Sequence, residues 1–370
     1  MTHRIHNFGA GPAALPLPVL EEAQRELLDF QGTGVSMLEH SHRGPVYDAV
    51  HQQTIADLRA LFGPGHEDFE ILFMGGGARS QFALVPMNLL YAGATAGYLT
   101  TGRWSEMALE EARKLGDGKA RVRELWSSGA HGHDRVPGAG EFAVEEGMTY
   151  LHYTSNNTVA GTQYPATPEA GGVPLVCDMS SDIFSRPIDL QTYGLIYAGA
   201  QKNLGPAGVT LVVVRKDLLE PPRTTLAPLG DMFDYRKVAA KNSLLNTPPT
   251  FPIYIIGLVA RWLLDGGGLT RMAARNEEKA ATLYRVIDGS GDFYRGHAQE
   301  GSRSRMNVTF RLPSEDLEAR FVEEAREQGM IGLKGHRSVG GVRASIYNAV
   351  TLEAIHDLVR FMETFARRHG

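Results

Sequence analysis

The stretch YAGAQKNLGPAG, Tyr197 to Gly208, sets Lys202 between small residues and a Gly-Pro-Ala-Gly loop, and the apolar run VTLVVV, Val209 to Val214, follows at once. Lysine ordinarily coats a surface. Here the ammonium group stands where one strand-like run, GLIYAGA, ends and another begins. In an open α/β sheet, ligands bind beyond the carboxyl ends of the strands, so this placement predicts a pocket. A lysine held there loses hydration, and its pKa falls toward that of a usable neutral amine.

Upstream, the run VPLVCDMSSD reads as a buried strand over Val173 to Cys177 with Asp178 at its end, 24 residues before Lys202. A strand-end acid also serves as a cap or turn former. Further upstream, ILFMGGGARSQF is a strand, then Gly75, Gly76 and Gly77, then a helix starting near Ala78 or Arg79. Free backbone N–H groups at a helix start favour an anion such as a phosphate. The dinucleotide pattern G-x-G-x-x-G is incomplete, with Ser80 at its last glycine position, and no acid ends a strand about 20 residues on. A nucleotide-dependent dehydrogenase is thus the weaker alternative.

Strands alternating with helices predict an α/β fold around a mostly parallel sheet. Helical spacing covers Leu20–Phe30 and Val46–Phe62, and a helix follows the glycines to about Leu90. The span 127–141, SSGAHGHDRVPGAGE, reads as a surface loop. Asp265–Gly268, DGGG, marks a domain edge, beyond which helices and strands form a compact α+β unit of about a hundred residues. The predicted domains are 1–265 and 266–370, with the N-terminal segment packing on the smaller one.

With 370 residues, 43% hydrophobic and 21% charged, the chain can bury a full core. The net charge of −5 gives no footing for nucleic acid or an anionic membrane. The one cysteine, Cys177, rules out an intramolecular disulfide, and the start MTHRIHNFGAGPAALPLP has no apolar signal core, so a cytoplasmic location is expected. The greasy stretch Ile253–Leu264 is too short for a span and carries Arg261. The thirteen histidines show no metal-ligand spacing, so no metal is assigned.

Phosphate seat, strand-end acid and strand-end lysine, in that order, describe a pocket for pyridoxal phosphate. The phosphate would go to Ala78 and Arg79, the ring nitrogen to Asp178 and the aldehyde to Lys202. Trp104, in TTGRWSEM, is placed either to stack on the ring or in the core. The pairs His42-Arg43 and His336-Arg337, each beside glycine, are suited to grip carboxylates and phosphates, or equally to coat the surface.

Several strings resemble one family nearly end to end: NFGAGPAALP, SHRG, HYTSNNTVAGTQ, DMSSDIFSRPID, AGAQKNLGPAG, NTPPTFPIY and GHRSVGGVRASIYNA. The chain resembles the phosphoserine aminotransferases, pyridoxal-phosphate enzymes of fold type I in the class-V aminotransferase group. The resemblance implies a large domain with a seven-stranded, mostly parallel sheet and a smaller C-terminal α+β domain. It implies that Lys202 bonds the cofactor, Asp178 pairs with its nitrogen, Thr158 and Gln201 hydrogen-bond it, and Trp104 stacks on it. Ala78 and Arg79 would hold its phosphate, joined by Asn246 and Thr247 of the neighbouring subunit in a homodimer with shared active sites. His42, Arg43, His336 and Arg337 would bind substrate.

The implied activity is reversible transamination of 3-phosphohydroxypyruvate with glutamate to O-phosphoserine and 2-oxoglutarate in serine biosynthesis. A second implied substrate lies on the route to vitamin B6. Ala10 stands where some members carry serine, and is left out of the site. Other class-V aminotransferases share the cofactor chemistry. A cysteine desulfurase would require a mobile nucleophilic cysteine, whereas Cys177 is expected inside a strand.

Overall fold

The computed structural model describes residues 4–220 and 224–370. Seven strands form the central sheet, in the spatial order Phe69–Met74, Thr210–Arg215, Leu195–Gly199, Leu175–Asp178, Tyr150–Thr154, Thr95–Thr100 and Arg121–Ser127. All pair in parallel except Thr210–Arg215, which runs antiparallel to both its neighbours. The sheet carries helices on both faces, which explains why its strands are unbroken apolar runs rather than alternating ones. Leu211 and Val213 point into one core and Val212 and Val214 into the other, all four fully buried.

Pairing aligns the strand ends that matter. Thr154 lies opposite Asp178, Asp178 opposite Tyr197, and Thr210 is paired with both Gly199 and Met74. The loop carrying Lys202 therefore opens on the same edge of the sheet as Asp178 and the glycines after Met74.

Helix Thr250–Asp265 meets helix Gly268–Asp288 at an 85° bend, where Gly267 adopts φ +95°. A left-handed residue is needed to turn the chain this sharply, and glycine carries no Cβ to oppose it. Beyond the bend, the antiparallel strands Arg295–Gly296, Asn307–Arg311 and Val342–Ser345 pack with helices Glu315–Glu327 and Leu352–His369. Their core is aromatic, with Phe321 in edge contact with Phe310, Phe361 and Phe365. The N-terminal His6–Asn7 pairs in parallel with Met330–Ile331, and Phe8 is buried in this same core.

One expectation shifts and one gains detail. The first long helix runs Leu17–Arg25 rather than 20–30, starting behind Pro16. The span 127–141 is a surface loop, as expected, but it is docked: Ser128 and Val136 are buried, Gln299 N donates to Asp134 O at 2.8 Å, and Val136 N donates to Ser302 Oγ at 3.1 Å. Some of its polar groups pair with the C-terminal unit, a partner that local composition does not reveal. Among the described residues no single helix is long and apolar enough to cross a membrane.

Candidate active site

The aligned strand ends enclose a cavity of about 420 Å³. Ala78, Arg79, Trp104, Thr158, Asp178, Gln201 and Lys202 all line it, together with His336. Residues spread from 78 to 336 thus meet because five different strand ends and one loop of the C-terminal unit converge.

Lys202 Nζ lies 3.4 Å from Thr158 Oγ1, and 5.4 Å from the Trp104 ring centre. Trp104 Nε1 donates to the same Thr158 Oγ1 at 2.9 Å, so one hydroxyl fixes both the indole and the amine. Burial lowers the Lys202 pKa; Asp178 opposes that shift, and Arg343 adds to it. The direction favours the neutral amine, the form that can attack a carbonyl or take a proton.

Asp178 closes the strand Leu175–Asp178 and is 5% exposed. Its Oδ1 accepts from Ser180 N at 2.9 Å and from Ser180 Oγ at 2.6 Å, while Gly199 N donates to Ser180 Oγ at 3.0 Å. The neighbouring strand thereby orients the carboxylate. Burial raises its pKa, with Lys202 and the Ser180 hydrogen bonds pulling the other way. A carboxylate in that position is stabilised further by any cation placed beside it.

Helix Gly77–Leu89 begins in the cavity wall with no side-chain cap. Its first N–H groups have no intrahelical partners and face the cavity as donors. Gly76, at φ +87°, cannot be replaced there: a Cβ would lie 2.6 Å from Ser80 Oγ. Gly199 is tightly packed too, since its Cβ would come within 3.3 Å of Ala78 N.

Five expected residues lie outside this cavity. His42 and Arg43 are on the turn before helix Pro45–Phe62, with Arg43 Nε 3.2 Å from His42 Nε2. Asn246, Thr247 and Arg337 are exposed. In return the cavity holds Arg343, Gly11 and Ala10, which the sequence reading had not placed there. Arg343 is half-buried; its Nη1 donates to Thr158 O at 2.9 Å and its buried Nε has no partner. The available signal was an arginine inside the strand VRAS, whose other side chains are buried. Ala10 O accepts from Tyr347 Oη at 2.9 Å, which ties the N-terminal loop to the same wall.

The donor set fits pyridoxal phosphate: uncapped N–H groups for a phosphate, a buried carboxylate for a ring nitrogen, an indole to cover a ring, and a desolvated amine for an aldehyde. Cys177 is fully buried and its thiol pKa is pushed up by that burial, so nucleophilic thiol chemistry is absent from the site. Fold and pocket define an aminotransferase that uses pyridoxal phosphate, and the class-V aminotransferase model matches residues 5–358. A phosphoserine aminotransferase of Desulfatibacillum aliphaticivorans is 54% identical over the full length of both chains. The phosphoserine aminotransferase structure from Bacillus circulans subsp. alkalophilus superposes with a TM-score of 0.95 at 50% identity, covering all of both chains. The pyridoxal-phosphate-bound phosphoserine aminotransferase from Trichomonas vaginalis gives a TM-score of 0.90 at 38% identity, covering 97% of this chain and 100% of that one. This chain belongs to the phosphoserine aminotransferase family of class-V aminotransferases.

Proposed function

We infer that the protein moves an amino group reversibly between glutamate and 3-phosphohydroxypyruvate, yielding O-phosphoserine and 2-oxoglutarate, a step of serine biosynthesis. The observation that carries this reading is Lys202 and Asp178 facing one cavity whose wall is an uncapped helix start. Bound pyridoxal phosphate supplies an electron sink that acidifies the α-C–H of an attached amino acid. The chain supplies the rest. Lys202 Nζ would hold the cofactor and would serve as the base that takes the α-proton and later returns it. Asp178 holds a proton on the facing ring nitrogen, Trp104 covers the ring, and Thr158 with Gln201 sets its orientation. Ala78 and Arg79 bind the cofactor phosphate through backbone N–H groups and the positive helix end.

Arg343 meets the substrate α-carboxylate, a role supported by its free Nε and its place in the wall. His336 lines the same wall and serves the substrate's other anionic end. Arg343→Ala should lower kcat/KM for O-phosphoserine by about 10²-fold or more, mostly through KM. Arg343→Lys should not restore it, because an ammonium cannot reproduce the paired guanidinium contact. Steady-state kinetics with both variants check this, and wild-type KM in Arg343→Ala would remove Arg343 from substrate binding.

His42, Arg43, Asn246 and Thr247 act in the neighbouring subunit's site of a homodimer. Support comes from their position outside the cavity of their own chain and from exposed apolar residues on the segment before His42, with Leu28 85% and Leu38 57% exposed. Arg337 belongs with this substrate-binding set. The chain divides at residue 265, where the bend at Gly267 precedes the separate aromatic core. A lone buried cysteine suits the reducing cytoplasm.

The visible spectrum of the protein loaded with pyridoxal phosphate tests the activity. Its yellow absorption should bleach on adding O-phosphoserine and persist with serine. A yellow protein indifferent to O-phosphoserine would make it a different class-V aminotransferase.

A further inference from the structure

Lys279, on helix Gly268–Asp288, is 0% exposed, and no carboxylate pairs with it among the described residues. Its Nζ donates to three backbone carbonyls, Ile346 O at 2.8 Å, Tyr347 O at 2.7 Å and Val350 O at 3.2 Å. Three acceptors match the three hydrogens of an ammonium; a neutral amine would leave one carbonyl facing a lone pair. Burial, with Arg275 beside it, pushes the pKa down, and the three carbonyls are the contacts that favour the ammonium form. Sealing a cation in a core is costly, and a well-packed apolar side chain of similar volume would fill the space as stably. A side chain tied to three carbonyls of one turn constrains that turn as an apolar one would not.

The turn it grips is the one that follows Arg343 on strand Val342–Ser345. Within the turn, Asn348 N donates to Asn203 Oδ1 at 2.9 Å, and Asn203 is the neighbour of Lys202. Asn348 Oδ1 in turn accepts from Asn276 Nδ2 at 2.8 Å, three residues before Lys279 on the same helix. Tyr347 Oη reaches Ala10 O in the cavity wall. One buried cation thus stands under a turn whose other contacts lead to Arg343, to the Lys202 loop and to the N-terminal loop.

We propose that Lys279 is a positioning residue for the transfer reaction, fixing the turn 346–350 so that Arg343 and Lys202 keep a single mutual register. The proposal rests on the reading that Arg343 and Lys202 face the reacting amino acid. Asn348 transmits the register to Asn203, and the strand that enters the turn transmits it to Arg343. Small displacements of such groups are felt steeply in rate and binding.

The test compares wild type, Lys279→Met and, as a control for general loss of stability, Met362→Ala in the C-terminal core, all loaded with cofactor. In Lys279→Met, amide exchange should rise at 346–350 and also at Leu204 and Gly205 in the Lys202 loop. KM for O-phosphoserine and for glutamate should rise together, on the order of tenfold. Met362→Ala should lower Tm while leaving both KM values and the exchange at 204–205 as in wild type. Wild-type KM values in Lys279→Met, with exchange raised only at 346–350, would overturn the proposal. If that variant does not fold, Lys279→Gln, which keeps two donors without charge, is judged by the same two patterns. A wild-type protein that leaves O-phosphoserine unconverted would instead end the activity reading, while the exchange pattern would still decide whether Lys279 sets the register.

Discussion

Lys202→Ala is expected to cut turnover of the cofactor-loaded protein by about 10⁴-fold, the upper range for loss of a positioned acid–base group. In the proposed reading the same side chain anchors the cofactor and carries the α-proton, so no neighbour can take over both tasks. Thr158 Oγ1, the hydroxyl closest to Nζ at 3.4 Å, is too weak a base to take the proton. Folding should survive, because Lys202 is a desolvated cation whose burial opposes its charged form. Steady-state assays beside circular dichroism check both halves. A folded variant with near-normal turnover would strip Lys202 of its role. Partial recovery on adding a small primary amine would show that the missing group is the amine itself.

Asp178→Asn should lower kcat by about 10³-fold, the scale of losing one preorganised electrostatic contact in a dry site. The substitution keeps the shape, and Ser180 N can still donate to the remaining oxygen, as it does now at 2.9 Å. What goes is the charge that would hold a proton on a ring nitrogen. Stability should not fall, since burial already raises the pKa of Asp178 and thus disfavours its ionised form. A second reading follows from the coupling of the pair. Asp178 raises the pKa of Lys202, so its neutralisation should shift that pKa lower still. In the cofactor-free variant, reactivity of Lys202 toward an amine-selective reagent should therefore reach its plateau at lower pH than in wild type. Unchanged kcat together with an unchanged pH profile would place the charge stabilisation on another group.

Most of the cofactor side of the site was legible from local order alone. Gly75–Gly77, Trp104, Asp178 and Lys202 each follow an apolar run, and in a parallel sheet every such run ends on one edge. The substrate side was less legible. The pattern His336-Arg337 beside glycine drew attention to Arg337, which is exposed, while Arg343, six residues further on, lines the cavity. The difference arises from pairing: Arg343 lies opposite Thr309 in the C-terminal sheet, and that register, set by long-range contacts, turns it toward Thr158. The span 127–141 is a surface loop, as its composition predicted, but its docking was not legible there. Its glycine and polar content described the loop correctly, but three of the groups that pair with it, on His297, Gln299 and Ser302, lie more than 150 residues away in the chain.

Periodicity, strand ends and glycine placement, all properties of short stretches, were enough for the α/β architecture and for bringing Asp178, Lys202 and the glycine-led helix start to one cavity. They suffice because hydrophobic pattern and backbone freedom act within a few residues, and a parallel sheet converts chain order into spatial order. The place of Arg343 in the cavity wall, the docking of the 127–141 loop and the burial of Lys279 were decided by tertiary packing. Each depends on hydrogen-bonding groups far apart in the chain that meet only once water has been excluded between them, and an unpaired polar group there is costly enough to fix the partner.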